Sequence, residues 1–331
     1  MKKYNVAVVG ATGVVGRKMI EVLIERKFPV DEIHFFASKK SAGTVLDYNG
    51  RKVVIEELTK ENVAQSNVKY AIFSAGSDVS KAFAPVFAEY GGVAIDNSSC
   101  WRMDDSVPLV VPEVNPEAAF NHYGIIANPN CSTIQAVVAL KPLHDKFKIK
   151  RIVYSTYQAV SGAGKQGLAD LEDGDKGVAP KKFPYRISHN IIPHIDVFTD
   201  DGYTKEELKM INETRKILGD DSLKITATTA RVPVYYGHSE SINVEFFNPV
   251  TRQAALEVLS KAKGVVVCDD VKNNIYPMPI DAEGHDEVFV GRVREDKSVD
   301  NGLNLWVVAD NIRKGAATNA VQIAELLAAH E

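Results

Sequence analysis

The sequence predicts an α/β protein in two parts. A doubly wound parallel domain comes first, and an α+β domain built on a mixed sheet follows it. Three observations carry that expectation. Short, wholly apolar runs alternate with helical periodicity from the first residues to about residue 127, the pattern of parallel strands buried on both faces. A glycine-rich turn joins the first of these runs to the first helical pattern. Beyond about residue 150 the strand-like segments lengthen, alternate apolar with polar positions and stand further apart, as in a mixed sheet with helices on one face.

Composition narrows the function classes. Hydrophobic residues make up 45% and charged residues 25% of the 331, the balance of a folded chain long enough for two substantial cores. The net charge is −4 and the basic residues are scattered, so no nucleic-acid partner is expected. Three cysteines, Cys100, Cys131 and Cys268, imply no disulfide framework. No signal-peptide pattern precedes the first strand, and no apolar run reaches the roughly 18 residues of a membrane helix. The expectation is a cytoplasmic protein with no membrane partner.

In chain order, Tyr4–Gly10 reads as a buried strand and runs into Gly10-Ala-Thr12-Gly13-Val14-Val15-Gly16 before a helical pattern. Glycine at such a turn permits a tight bend and close backbone approach to a pyrophosphate, which then meets a helix N-terminus. The turn therefore points to a dinucleotide in a Rossmann-type domain; the bland reading is a tight strand–helix turn. The next strand, Ile33–Ala37, ends at Ser38-Lys39-Lys40-Ser41 and offers no acid for a ribose 2′-hydroxyl, with Asp31 and Glu32 before the strand. Cations and hydroxyls suit a 2′-phosphate, so NADP is expected over NAD.

A strand over 68–76 ends in Ala75-Gly76, and a helix is expected over 80–89 with Pro85 near its first turn. Val93–Asp96 then leads into a loop containing Arg102, a weak anion-site candidate by itself. After a buried run at 124–127, Asn128-Pro129-Asn130 forces a turn, and a helical pattern starts at Cys131 and is expected to stop before Pro142. A thiol at a helix N-terminus meets unpaired N–H groups and a dipole that favour the thiolate, which makes Cys131 a candidate nucleophile. Most free cysteines merely fill space, and that reading stands beside it.

In the second half, strands are expected at 151–158, 224–234, 239–247, 287–293 and 303–309, and helices near 205–218, 251–262 and 315–329. The acidic run Asp170–Asp175 lacks the alternating ligands and closing Glu of a calcium loop, and no Cys/His cluster occurs, so no metal is expected. Two stretches suit a thiol. Gln158–Gly164 ends a strand with an amide and small residues, and Arg231–Glu240 carries an Arg and, at His238, a candidate proton acceptor. An ordinary loop histidine is the alternative for His238.

Taken in order, Gly10–Gly16, Asn97–Arg102, Asn128–Thr133, Gln158–Gly164, Glu213–Lys216, Arg231–Glu240 and Asn311 resemble the aspartate-β-semialdehyde dehydrogenases over nearly the whole chain. The resemblance implies an NADP-dependent phosphorylating aldehyde dehydrogenase. Such an enzyme reduces L-4-aspartyl phosphate to L-aspartate-4-semialdehyde and inorganic phosphate, in the biosynthesis of lysine, threonine and methionine. It implies Cys131 as nucleophile, His238 as acid/base and Gln158 as the residue orienting the substrate. Arg231 would clamp the substrate carboxylate and Glu213 its ammonium, while Arg102, Asn130 and Lys216 would hold phosphate. Cofactor contacts would come from Gly10, Thr12, Gly13, Val14, Val15, Gly16, Ser38, Lys40, Ser41, Ala75, Gly76, Ser161, Gly162 and Asn311. Lys40 stands where relatives often have Arg.

The resemblance also implies a homodimer or tetramer, an NADP-binding domain of residues 1–127 plus 310–331, and a catalytic and dimerisation domain of 128–309. Three other readings compete. An N-acetyl-γ-glutamyl-phosphate reductase has no free ammonium to explain Glu213. A non-catalytic NADP sensor would leave Cys131 an ordinary thiol, and a cysteine hydrolase would leave the glycine turn idle.

Overall fold

The computed structural model describes residues 2–331 and separates the chain into two units, one running to Pro129 and including Ala316–Glu331, the other Asn130–Gly315. In the first unit the apolar runs become β1 (Tyr4–Val9), β2 (Val30–Ala37), β3 (Val45–Tyr48), β4 (Arg51–Glu57), β5 (Tyr70–Phe73), β6 (Val93–Asp96) and β7 (Ile125–Ala127). Helices α1 (Val14–Glu25), α2 (Lys60–Ser66) and α3 (Ser77–Glu89) intervene. The sheet order is β3-β4-β2-β1-β5-β6-β7, parallel except for the β3–β4 hairpin. The chain thus winds outward both ways from β1, which puts the β1–β5 crevice at the carboxyl edge where such sheets bind ligands.

Two local expectations need correction. Pro85 lies mid-way along α3, which starts at Ser77. The ring sits on the exposed side of the helix, while Ala84, Val86 and Phe87 are buried against the sheet and hold the helix through the lost N–H. The β3–β4 hairpin was legible but is absent from the predicted strands. Its turn is Asn49-Gly50, both at positive φ (51° and 81°), the dipeptide a two-residue hairpin favours.

The second unit opens with α4 (Cys131–Phe147) and β8 (Ile149–Gln158). Then come α5 (Gly164–Gly174), α6 (Lys205–Leu218), β9 (Lys224–Arg231), β10 (His238–Phe246), α7 (Arg252–Leu259), β11 (Val265–Val267), α8 (Pro279–Ala282), β12 (Val288–Glu295) and β13 (Gly302–Ala309). The sheet order is β11-β12-β13-β10-β8-β9, with β11/β12 and β8/β9 parallel and the rest antiparallel, the mixed sheet the sequence predicts. Helix α4 does not stop before Pro142. Leu143 and Phe147 are both buried, and packing of that last turn outweighs one missing hydrogen bond. The acidic run from Asp170 belongs largely to α5 rather than to a loop. The chain re-enters the first unit as α9 (Thr318–Ala328), whose Ala320, Val321, Ile323, Ala324 and Leu327 join Met19 and Leu23 of α1 in one core. No helix is long and apolar enough to cross a membrane among the described residues.

One interior feature departs from ordinary packing. Glu240 on β10 is fully buried, and neither carboxylate oxygen has a hydrogen-bond partner. Burial, with the charge of Glu206 adding to it, pushes this carboxyl well above the usual range, so it is held neutral. The unfolded chain releases this proton near the ordinary carboxylate pKa and the folded chain keeps it. The contribution to stability is therefore present below the unfolded pKa and lost as pH rises towards the folded one. Glu240→Gln, which cannot ionise, is expected to gain on the wild type progressively between pH 5 and pH 8. Thermal unfolding at the two values measures this, and a gap that does not widen would mean that Glu240 is ionised.

Candidate active site

In the first unit the expected cofactor residues gather along one edge of the parallel sheet. Gly10 to Gly13 form the turn between β1 and α1, Ser38 to Ser41 the turn after β2, and Ala75-Gly76 the link from β5 into α3. Gly10 has φ +82°, and a Cβ there would sit 2.6 Å from the Ser74 carbonyl oxygen, so only glycine makes this turn. The close backbone approach and the α1 N-terminus fit a pyrophosphate. After β2, Ser38, Lys39 and Lys40 are exposed and Ser41 half-buried, with no acid in the turn. Arg102, after β6, is buried; its Nε donates to the Asn128 carbonyl (3.0 Å) and Nη2 to that of Asn97 (2.9 Å).

In the second unit the mixed sheet brings chain segments of opposite direction to one edge. The parallel register pairs Gln158, the last residue of β8, with Arg231, the last of β9. Antiparallel β10 begins at that same edge with His238, paired with Ala309 at the end of β13. His238 is therefore no loop residue; it is fully buried at a strand start. Cys131, the first residue of α4, lies with its Sγ 3.2 Å from Nε2 of His238. On the other side of the ring, the Ala159 backbone N–H donates to Nδ1 (3.0 Å). A backbone N–H only donates, so Nδ1 carries no proton and the neutral imidazole presents Nε2–H to the sulfur. Burial, reinforced by Arg231, holds His238 well below the usual histidine range.

Arg231 is itself buried, with Nη1 donating to the Ala159 carbonyl (2.7 Å) and Nε left without a partner among the described residues. A buried guanidinium with an unused N–H suits a carboxylate. Burial lowers its pKa from the usual arginine value, and the negative charges of Glu206 and Cys131 push it back. Gly162 lies beside both groups: a Cβ there would stand 3.1 Å from Arg231 Nη1 and 3.5 Å from His238 Nε2. Ser161 and Asn311 hydrogen-bond each other through Oγ and Nδ2 (3.0 Å), and Asn311 Oδ1 accepts from Gly237 N (3.0 Å) just before His238.

Helix α6 supplies the acids. Glu213 is buried and accepts from the Asn130 backbone N (2.6 Å); Lys216, one turn on, is half-buried. The Asn130 side chain caps α4, its Oδ1 accepting from Ser132 N and Thr133 N. Cys131, His238, Gln158, Arg231, Asn130, Glu213, Ser161, Gly162 and Asn311 thus form one connected cluster within the second unit. Sequence reasoning missed Glu206, 5% exposed, whose Oε1 accepts from both Asn130 Nδ2 (2.9 Å) and Gln158 Nε2 (3.2 Å). Its seven-residue spacing from Glu213 puts both on one face of α6 and was the available signal. Ala159, whose N–H fixes the histidine tautomer, carried no signal at all.

Two family models match, "Semialdehyde dehydrogenase, NAD binding domain" over residues 5–122 and "Semialdehyde dehydrogenase, dimerisation domain" over residues 140–314. An aspartate-semialdehyde dehydrogenase of Aquifex aeolicus is 58% identical over 98% of each chain. The crystal structure of aspartate semialdehyde dehydrogenase II from Vibrio cholerae superposes with a TM-score of 0.95 at 49% identity over 99% of each chain. A Candida albicans aspartate semialdehyde dehydrogenase solved with NADP matches with a TM-score of 0.80 at 27% identity over 99% of each chain.

Gly162 is exposed and has no positive φ, so an added methyl is tolerated by the fold but intrudes beside Nε2 and Nη1. Gly162→Ala is expected to lower kcat/KM about tenfold with an unchanged melting temperature, because Arg231 Nη1 must give way to the methyl by a few tenths of an ångström and the methyl occupies space beside His238 Nε2. Full activity would remove Gly162 from the site.

Proposed function

The chain belongs to the aspartate-semialdehyde dehydrogenase family, and we propose that it reduces L-4-aspartyl phosphate to L-aspartate-4-semialdehyde with NADPH through a Cys131 thioester. It is an oxidoreductase acting on an aldehyde group, in amino-acid biosynthesis from aspartate. The observation that carries the thioester is the 3.2 Å contact of Sγ with a neutral Nε2–H at a helix N-terminus.

Each residue's role is the one the family resemblance implies, and its position supports that role for Cys131, His238 and Arg231. The α4 dipole and Nε2–H stabilise a thiolate at Cys131. Arg231 engages the substrate carboxylate through its unused Nε, and Glu213 receives the ammonium. Asn130 and Lys216 would hold the phosphate in the second unit, with Arg102 the first unit's candidate for the same anion. The sulfur attacks the acyl carbon, the bond to phosphate oxygen breaks, and a thioester remains. In the first unit the Gly10–Gly16 turn, Ala75 and Gly76 would hold NADPH, with Ser161, Gly162 and Asn311 the second unit's candidates for the same cofactor, which when bound would supply the hydride for that carbonyl. His238 then serves the thiohemiacetal oxygen from Nε2, and the same N–H steadies the sulfur as the carbon–sulfur bond breaks. No second proton is needed on the ring, in keeping with its depressed pKa.

The preference for NADP rests on Ser38, Lys40 and Ser41 and the lack of an acid after β2. A homodimer is the assembly we assign, through the second unit, and the cytoplasm is the compartment.

The deciding assay follows NADP reduction with L-aspartate-4-semialdehyde and inorganic phosphate. Turnover is expected to require phosphate and to fall by about 10⁴-fold or more in Cys131→Ala; phosphate-independent turnover, or an active mutant, overturns the thioester. Lys40→Ala is expected to raise KM for NADP about tenfold and leave KM for NAD alone, the worth of one charge-assisted contact. Equal effects on both cofactors would remove the 2′-phosphate assignment.

A further inference from the structure

We propose that Glu206 is the positioning residue of this site, its carboxylate holding the side-chain amides of Asn130 and Gln158 in one orientation. The turnover part of the test rests on the thioester reading; the remainder does not.

A carboxylate only accepts hydrogen bonds, so any amide that meets it must present its amino end. Oε1 of Glu206 meets two, Asn130 Nδ2 at 2.9 Å and Gln158 Nε2 at 3.2 Å. The consequence for Asn130 is that Oδ1 must face the other way, onto Ser132 N (3.0 Å) and Thr133 N (3.2 Å), which is the cap of the helix that begins at Cys131. Gln158 is held a second time, Nε2 donating to Thr156 Oγ1 (3.3 Å), so a flip would turn its oxygen against the Glu206 carboxylate. Glu206 therefore decides which atom each amide offers to a ligand.

The other acids of α6 do not duplicate this. Glu207 closes the helix cap with Thr204 and accepts from Thr229 N, and Glu213 grips the Asn130 backbone rather than its side chain. Asn130 is thus fixed from two directions by two carboxylates about two turns apart on one face of α6.

Burial alone would raise the Glu206 carboxyl. Lys209 at 3.2 Å, the two amides and Arg231 outweigh it and keep the group ionised. Lys209 in turn reaches exposed Asp196 (2.7 Å), so a purely structural reading is available, in which Glu206 merely ties α6 to the preceding loop.

The experiment separates the two with Glu206→Gln, Glu206→Asp and Asp196→Asn. Two readouts are taken: the pH profile of Cys131 alkylation by iodoacetamide, without substrate or cofactor, and turnover of the semialdehyde. Glu206→Gln removes a negative charge that sits on Asn130, the residue next to Cys131, and the alkylation profile is expected to move about one pH unit lower while kcat falls roughly 10- to 100-fold. Glu206→Asp keeps the charge but withdraws the acceptor, and is expected to show the wild-type alkylation profile with reduced kcat. Asp196→Asn should match the wild type in both. An unmoved profile in Glu206→Gln, or an Asp196→Asn that reproduces its losses, overturns the proposal. Wild-type silence towards the semialdehyde would sink the thioester reading and leave the alkylation result to decide Glu206.

Discussion

The hydrogen bond from the Ala159 backbone to Nδ1 of His238 sets the terms for the rest of the site. A histidine near a thiol ordinarily invites an imidazolium–thiolate pair, but here the second proton has no place to sit. Nδ1 faces a donor, the ring is fully buried, and the positive charge of Arg231 adds to the cost of a second proton. The neutral ring must then act as a donor from Nε2, and a thiolate at Cys131 would draw its stability from that N–H, the α4 terminus and Arg231. That division suits a cycle in which sulfur alternates between anion and acyl carrier.

Such a site concentrates charge in a dry interior, and the fold balances it residue by residue. Glu206 is matched by Lys209 and two amides, and its charge also favours the protonated form of Arg231. Glu240, two residues along β10 from His238, finds no such partner and is neutral instead. The contrast between two fully buried glutamates in one unit follows from partners alone: a buried carboxylate ionises when donors and cations repay its desolvation and keeps its proton when they do not.

What the sequence disclosed, and what it hid, divides along the same line. The glycine turn, the helix starting at Cys131 and the strand ending at Gln158 were legible because each is a local pattern of spacing and turn chemistry. The family resemblance was legible because several such patterns occur in order. Glu206 was not, since an exposed-looking Glu in an amphipathic helix reads the same whether or not two distant amides converge on it. Glu240 was likewise invisible, because alternation along β10 says which face is buried but not that a carboxyl will occupy it. Pro142 and Pro85 misled for the opposite reason: their local cost is real, and burial of Leu143, Phe147 and Phe87 overrides it. Asn49-Gly50 needed no tertiary knowledge and was simply readable as a hairpin.

The two sheets also explain why ligand contacts and chemistry are built differently. A parallel sheet sends its strands' carboxyl ends to one edge, so the turns after β1, β2 and β5, which carry the proposed cofactor contacts, all lie along it. Binding a long dinucleotide needs that repetition. Covalent chemistry needs unlike groups at a point, and a mixed sheet supplies them. The ends of β8 and β9 carry Gln158 and Arg231, while the start of antiparallel β10 carries His238 to the same edge. Had β10 run parallel to β8, its first residue would lie at the far edge, a strand length away. The reversal of that one strand is what makes a cysteine–histidine–arginine cluster possible at the N-terminus of α4.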